Sequence, residues 1–125
     1  MSHFTSIRTH IVEREFLLKA LDDLGYKVET GNLTVQDLAG DSARAEIKIQ
    51  LKLGREVGFR QSGEGYEIVA DAWGLGGGLK DLSQKVAQRY AYHTAISKLE
   101  AQGFSLVSEE DGQQGQIHLT LRRMA

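Results

Sequence analysis

The sequence predicts an α+β fold, and three observations carry that prediction. Residues 44–53 alternate apolar and polar side chains over their whole length, which is typical of a strand with one buried face and one solvated face. Residues 13–24 and 79–102 place apolar side chains at helical spacing. Residues 56–73 and 104–124 each indicate a hairpin. We therefore expect a two-layer domain in which two helices lie on one face of a mainly antiparallel sheet.

The remaining elements have local signals. The first helix is expected to end at Gly25, which supplies the stop. Residues 31–43 mix turn residues with apolar ones, and we expect a loop there with some anchoring side chains. On the alternating strand, the face expected to be buried carries Ala45, Ile47, Ile49, Leu51 and Leu53. The predicted order is β-α-β-β-β-β-α-β-β, with strands at 3–11, 26–29, 44–53, 56–61, 66–73, 104–110 and 116–124.

Composition bounds the class of protein. A chain of 125 residues with 41% hydrophobic and 26% charged residues is expected to fold as one globular domain, residues 1–125. The net charge of −2 disfavours nucleic acid as a partner, because such binding needs a basic surface. Without cysteine, disulfides, thiol catalysis and cysteine-ligated metals are excluded. No stretch approaches the ~20 apolar residues of a spanning helix, so we expect a soluble intracellular protein and no membrane partner.

The stretch QRYAYHTAI, residues 88–96, lies inside the second predicted helix and gathers an arginine, two tyrosines and a histidine. On a helical wheel, Arg89 and His93 lie one turn apart near the middle of the apolar arc. Tyr90 and Tyr92 belong to the same arc, and small or polar residues fill the opposite one. We therefore expect Arg89 and His93 to face the sheet.

A buried guanidinium needs a carboxylate or carbonyl partner, because an unpaired buried charge is costly. The strand at 66–73 offers Glu67 and Asp71, which alternate onto one face together with Trp73. In one interpretation, Arg89 pairs with one of these carboxylates and the group is a structural network. In the other, Arg89 is unpaired, and the histidine and the aromatic side chains line a pocket for an anion or a partner.

The run GLGGG, residues 74–78, follows a strand and precedes a helix, which is where phosphate-binding loops occur. The dinucleotide fingerprint fails at Leu79, the Walker pattern fails after Lys80, and the predicted sheet is antiparallel. A flexible connector is the favoured interpretation. The alternative is an anion site on the backbone amides of Gly74, Gly76, Gly77 and Gly78.

No complete catalytic or metal-binding pattern stands out. The histidines show neither HxxxH nor HxH spacing, and no GxSxG or Ser–His–Asp arrangement is present. We therefore assign no catalytic residue, no metal ligand and no cofactor-binding residue from the sequence. The four histidines are His3, His10, His93 and His118.

Four segments together resemble one family: MSHFTSIRT, VGFRQSGEGYEIVADAWG, QRYAYHTAI and the terminal LRRM. This is the family of hypothetical chloroplast reading frame thirty-five, whose members occur in cyanobacteria, algal plastids and other bacteria. The resemblance covers nearly the whole chain, and MSHF and QRYAYH are its most specific elements. It implies a bacterial cytoplasm or a plastid stroma, and it brings no established activity or site residue to this sequence.

Two functional hypotheses remain open from the sequence. The leading one is a small accessory or regulatory module that acts by binding a protein, because no catalytic pattern is complete and an open sheet face, an edge strand and a glycine-rich connector are predicted. The competing one is a small-molecule or anion-binding domain, enzymatic in one version, with its pocket where the glycine-rich run meets the long helix. The sequence leaves the oligomeric state open.

Overall fold

The computed structural model describes residues 4–37, 39–71, 78–112 and 116–123. These residues form two helices and seven strands in the predicted order, so the α+β fold class is confirmed. A short 3₁₀ turn, Lys52–Gly54, follows the third strand. The elements are β1 (Phe4–Arg8), α1 (Arg14–Asp23), β2 (Val28–Gln36), β3 (Ser42–Gln50), β4 (Glu56–Ser62), β5 (Gly65–Asp71), α2 (Gly78–Ala101), β6 (Phe104–Asp111) and β7 (Ile117–Arg123).

The first five strands form one antiparallel sheet in the order β1-β5-β4-β3-β2. One face of this sheet carries the alternating residues Tyr66, Ile68 and Ala70 of β5, and both helices pack there. Helix α1 ends as predicted, since Gly25 has a φ of 85° and accepts the left-handed conformation that stops a helix. The core cluster comprises Ile11, Leu17, Leu21, Ile47, Ile49, Val57, Phe59, Tyr66, Ile68, Ala70, Leu79, Leu82 and Val86.

Two expectations about the β2–β3 region are wrong. Residues 31–36, expected to be a loop, continue β2, and a register shift between Thr30 and Leu33 absorbs the turn-like residues between them. Strand β3 ends at Gln50, so Leu53 lies outside the strand. Leu53 is 91% exposed instead of buried, because alternation places a residue on a face only while the strand continues.

Gly58 of β4 allows a close approach on the opposite face of the sheet. A Cβ at this position would lie 2.5 Å from Cγ2 of Val35 and 2.7 Å from Cβ of Ala45. Both of those side chains are fully buried, as is Val69 beside them on β5. A second, smaller apolar contact therefore forms at Gly58, and the missing side chain is what makes room for it.

Strands β6 and β7 pair antiparallel as a separate two-stranded sheet. The chain divides into two compact units, Met1–Tyr90 and Ala91–Ala125, with the boundary inside α2. The first unit contains the five-stranded sheet and its core. The expectation of a single domain over residues 1–125 stays a prediction.

Candidate functional site

Arg89 has a carboxylate partner on α1. Its Nη2 lies 2.7 Å and its Nε 3.1 Å from the same oxygen, Oδ2 of Asp23. Both side chains are largely shielded, with 18% of Arg89 and 29% of Asp23 exposed. Asp23 is the last residue of α1, where the helix dipole disfavours a negative charge, and the guanidinium offsets that penalty.

The sequence offered Glu67 or Asp71 as the partner of Arg89, whereas the carboxylate that lies against Arg89 is that of Asp23 on α1. On β5 the residues that face the helices are Tyr66, Ile68 and Ala70, so Glu67 and Asp71 alternate onto the opposite face. A carboxylate on that face lies behind the sheet as seen from α2. The carboxylate that meets Arg89 comes from the neighbouring helix, a packing arrangement that no spacing rule within one element specifies.

Tyr90, the next residue of α2, holds the other end of α1. Its hydroxyl oxygen accepts hydrogen bonds from the backbone N–H groups of Val12 and Glu13, each at 3.1 Å. Glu13 is the N-cap residue, so the tyrosine serves one N–H group that has no acceptor within the helix and the N–H group that precedes it. The Tyr90 ring also meets Phe16 edge to face, with centroids 6.4 Å apart.

Arg89 and Tyr90 therefore connect α2 to both ends of α1. At the start of α1, Tyr90 provides a hydrogen-bond acceptor for backbone N–H groups that lack one within the helix. At the end of α1, Arg89 provides a cation for the carboxylate of the last residue. These contacts are what a structural network requires. They support the first interpretation of the arginine, with a partner different from the one that the sequence suggested.

His93 and Tyr92 belong to the second unit. Their rings meet edge to face, with centroids 4.9 Å apart and an interplanar angle of 83°, and both side chains are half-buried. Trp73 and the glycines at 74, 76 and 77 lie outside the described residues. Gly78 is the exposed first residue of α2. The anion-binding interpretation of the glycine-rich run stays a prediction.

Glu67 takes part in a polar group on the face of the first sheet that lies opposite the helices. A hydrogen bond from the hydroxyl of Ser6 lowers the pKa of Glu67 most, and Arg60, whose Nε lies 3.6 Å from Oε2, lowers it further against the opposing effect of burial. Ser62 adds a smaller contribution in the same direction. The carboxylate is thus held ionised between β1 and β4, which flank β5.

The turn Lys52–Gly54 and Arg55 form a feature that sequence reasoning missed. Leu53 has φ 65° and ψ 25°, and it is the one residue other than glycine with a positive φ among the described residues. Gly54 follows with φ 73°, and the backbone N–H of Leu51 donates to the carbonyl of Arg55 at 2.6 Å. The glycine at 54 was a signal for a turn here, and the regular alternation up to residue 53 concealed it.

Two classes of feature are not found in the described part of the chain. Within residues 4–37, 39–71, 78–112 and 116–123, no three histidine, aspartate or glutamate side chains gather as a metal site would require. Neither described helix is long and apolar enough to cross a membrane.

Comparisons with known proteins agree on one family. The family model described as "Protein of unknown function (DUF1257)" matches residues 20–120. The uncharacterized protein ycf35 of Cyanophora paradoxa is 31% identical over 125 residues, and that of Pyropia yezoensis is 30% identical over 125 residues. Each alignment covers 98% of this chain and 98% of the relative. No solved structure matches the chain. The chain belongs to the DUF1257 family, and the resemblance to reading frame thirty-five is confirmed.

Proposed function

We propose that the chain is a small accessory or regulatory module that acts by binding another protein, with Leu53 as the anchor of the contact. The observation that carries the proposal is the exposure of the Leu53 side chain together with the conformation of its backbone. Leu53 is 91% exposed and stands on a backbone with positive φ. Strain of this kind at an exposed residue is a starting point for a functional hypothesis.

The energetics favour a contact outside the chain. A leucine in the left-handed region costs about 1 kcal/mol, because its Cβ crowds the following carbonyl oxygen. At 91% exposure the side chain buries almost nothing in return. Burial against a partner would add about 1.5–3 kcal/mol, which exceeds the strain. The leucine therefore becomes favourable only in a complex.

The charges beside Leu53 indicate the chemistry of the partner. Lys52 and Arg55 flank it and are both exposed. An apolar pocket with carboxylates at its rim complements this arrangement, because the rim charges meet cations while the pocket takes the leucine. One leucine and two cations are a small anchor for a lipid surface, so a protein is the favoured partner.

For the compartment, we propose a bacterial cytoplasm or a plastid stroma. The support is the name ycf35 that the algal relatives carry. The proposal rests on those relatives and not on a targeting signal.

The experiment places a photo-crosslinking amino acid at position 53 of the full chain, identifies the protein captured in the host, and then measures its affinity directly. Leu53→Asn is expected to weaken binding about ten-fold or more, because the buried leucine is lost. Val12→Asn is the matched control, since Val12 is also an exposed apolar residue, at 55%. It should bind like the unmodified chain.

The same substitution has an opposite effect on stability. Asparagine accepts a positive φ with less strain, so Leu53→Asn should raise the free energy of unfolding by about 0.5–1 kcal/mol. A variant that is more stable and binds less well supports the proposal. If the captured protein binds the unmodified chain and Leu53→Asn equally, the leucine is not the anchor and the proposal is wrong.

A further inference from the structure

The C-terminal unit, Ala91–Ala125, has an incomplete apolar core. None of its described residues is fully buried, and the alternating residues Ile117, Leu119 and Leu121 of β7 are all half-buried. A unit of this size has few side chains with which to build a core, and the chain has no cysteine to add a disulfide. A two-stranded sheet is marginal in water unless it packs against a helix or gains further strands, and an open edge allows a further strand to be added.

The two edges of this sheet differ. On β6, the register shifts between Leu106 and Ser108, which leaves Val107 as an unmatched bulge residue, and an acidic run follows it at 109–111. Bulges and charges are the features that protect an edge strand from pairing. The register of β7 against β6 continues without interruption from Thr120 to Ile117. Strand β7 is therefore the edge that suits an added strand.

We propose that β7 pairs with β7 of a second copy of this chain, antiparallel and with the two-fold axis at Leu119. In this register Leu119 lies opposite itself, Ile117 lies opposite Leu121 and His118 lies opposite Thr120. The apolar residues of the two copies then form one continuous row on one face of a four-stranded sheet. Any shift by one residue would place apolar positions opposite polar ones.

Charge complementarity supports a second copy as the occupant. The acidic run 109–111 lies at the tip of the hairpin, and Arg122 and Arg123 lie at its base. Antiparallel pairing about the axis brings the arginine end of each hairpin to the same end of the sheet as the acidic run of the other copy. In this register Glu110 pairs with His118 and lies across β7 from Thr120 of the second copy, with Arg122 of that copy two residues further along, so the two charges attract at a distance without a direct contact. The hairpin complements itself in charge as well as in apolar pattern.

Cysteine cross-linking of the full chain tests the proposal, because an introduced cysteine is the sole thiol. Leu119→Cys places the two sulfur atoms opposite each other across the axis, where directly opposed strand residues come close enough for a disulfide. Mild oxidation should give a disulfide-linked dimer. Thr120→Cys, which is more exposed but lies off the axis, and Val107→Cys, on the other edge, should cross-link far more slowly.

A second measurement uses variants at exposed positions, so that folding is preserved. Sedimentation equilibrium should show a dimer whose dissociation constant rises about two-fold in Arg122→Glu and in Glu110→Arg, because each substitution weakens the attraction across β7 between the arginines of one copy and the acidic run of the other. The double variant should recover most of the affinity. Backbone amides of β7 should exchange more slowly as protein concentration rises, and those of β2 should not.

Three results would overturn the proposal: a chain that sediments as a monomer at every concentration, equal cross-linking at positions 119 and 120, or protection of β7 by a different protein and not by a second copy. The test is independent of Leu53. Leu53→Asn should dimerise like the unmodified chain, so failure of one proposal leaves the other standing.

Discussion

Nη2 of Arg89 lies 2.7 Å from Oδ2 of Asp23, and this contact ties the middle of α2 to the last residue of α1. Arg89→Ala should lower the free energy of unfolding by about 2 kcal/mol, the usual scale for a hydrogen-bonded charged group that loses its partner. Asp23→Asn should cost less, because it also removes a negative charge from the negative end of the α1 dipole. Chemical denaturation of each variant gives the comparison.

Lys85→Ala is the control for Arg89→Ala. Lys85 pairs with Asp81 on the same helix at 3.2 Å, but both side chains are about two-thirds exposed. An exposed pair of this kind contributes at most about 0.5 kcal/mol. Equal, small losses in Arg89→Ala and Lys85→Ala would show that the shielded contact is no stronger than a surface pair.

The sequence predicted that Arg89 faces the sheet and needs a carboxylate, but it did not identify Asp23 of α1 as that carboxylate, and the reason is physical. A helical wheel reports the direction of a side chain within one helix, and 18% exposure agrees with the inward direction. The partner depends on which face of β5 is covered. Both alternating sets of β5 contain apolar residues, Ile68 in one and Val69 in the other, so the pattern does not distinguish the faces. That choice is made by packing between elements.

The end of β3 shows a second limit of the same kind. Alternation extends from Ala45 through Leu53, yet the strand stops at Gln50. Periodicity reports the conformation that side chains favour, whereas the strand end is set by where the turn can form. Gly54 makes a turn with positive φ possible, and Leu53 is carried into it.

Tyr90→Phe should remove the hydroxyl that accepts two backbone N–H groups at the start of α1 and keep the ring contact with Phe16. Without the hydroxyl, the N–H groups of Val12 and Glu13 lose their acceptor, and the free energy of unfolding should fall by about 1 kcal/mol. Hydrogen exchange at these two amides should become faster, which a general loss of packing would not single out. Tyr26→Phe serves as the control on a tyrosine away from the cap. Unchanged exchange at residues 12 and 13 would contradict the capping role.

Gly58→Ala should destabilise the chain although alanine is ordinarily the better residue in the folded backbone. The new Cβ would lie 2.5 Å from Cγ2 of Val35 and 2.7 Å from Cβ of Ala45, so the neighbours must shift at a cost of about 1–3 kcal/mol. Thermal unfolding measures the loss. Gly78→Ala is the control, because nothing lies within 4 Å of its added Cβ.

The cost at Gly58 should be partly relieved by a second substitution. In the Gly58→Ala background, Val35→Ala removes the Cγ2 atom that the new methyl group meets. The double variant should therefore lose less stability than the sum of the two single variants, by a coupling of about 1 kcal/mol. Strict additivity would place the cause of the destabilisation elsewhere.

Stability should depend on the ionisation of Glu67 at acid pH. The pKa of Glu67 is lowered in the folded chain below its ordinary value of 4.5, chiefly by the Ser6 hydroxyl and then by Arg60. A carboxylate with a lowered pKa stabilises the fold at pH values above 4.5, and that contribution is lost as the pH falls below 4.5 through the folded-state pKa. Urea unfolding across this range should show a fall in stability that Glu67→Gln reduces. Glu64→Gln, in the exposed turn before β5, controls for the loss of one charge, and it should retain the full acid dependence. If Glu67→Gln and the unmodified chain lose stability in parallel below pH 4.5, the network around Ser6 and Arg60 does not hold the carboxylate ionised.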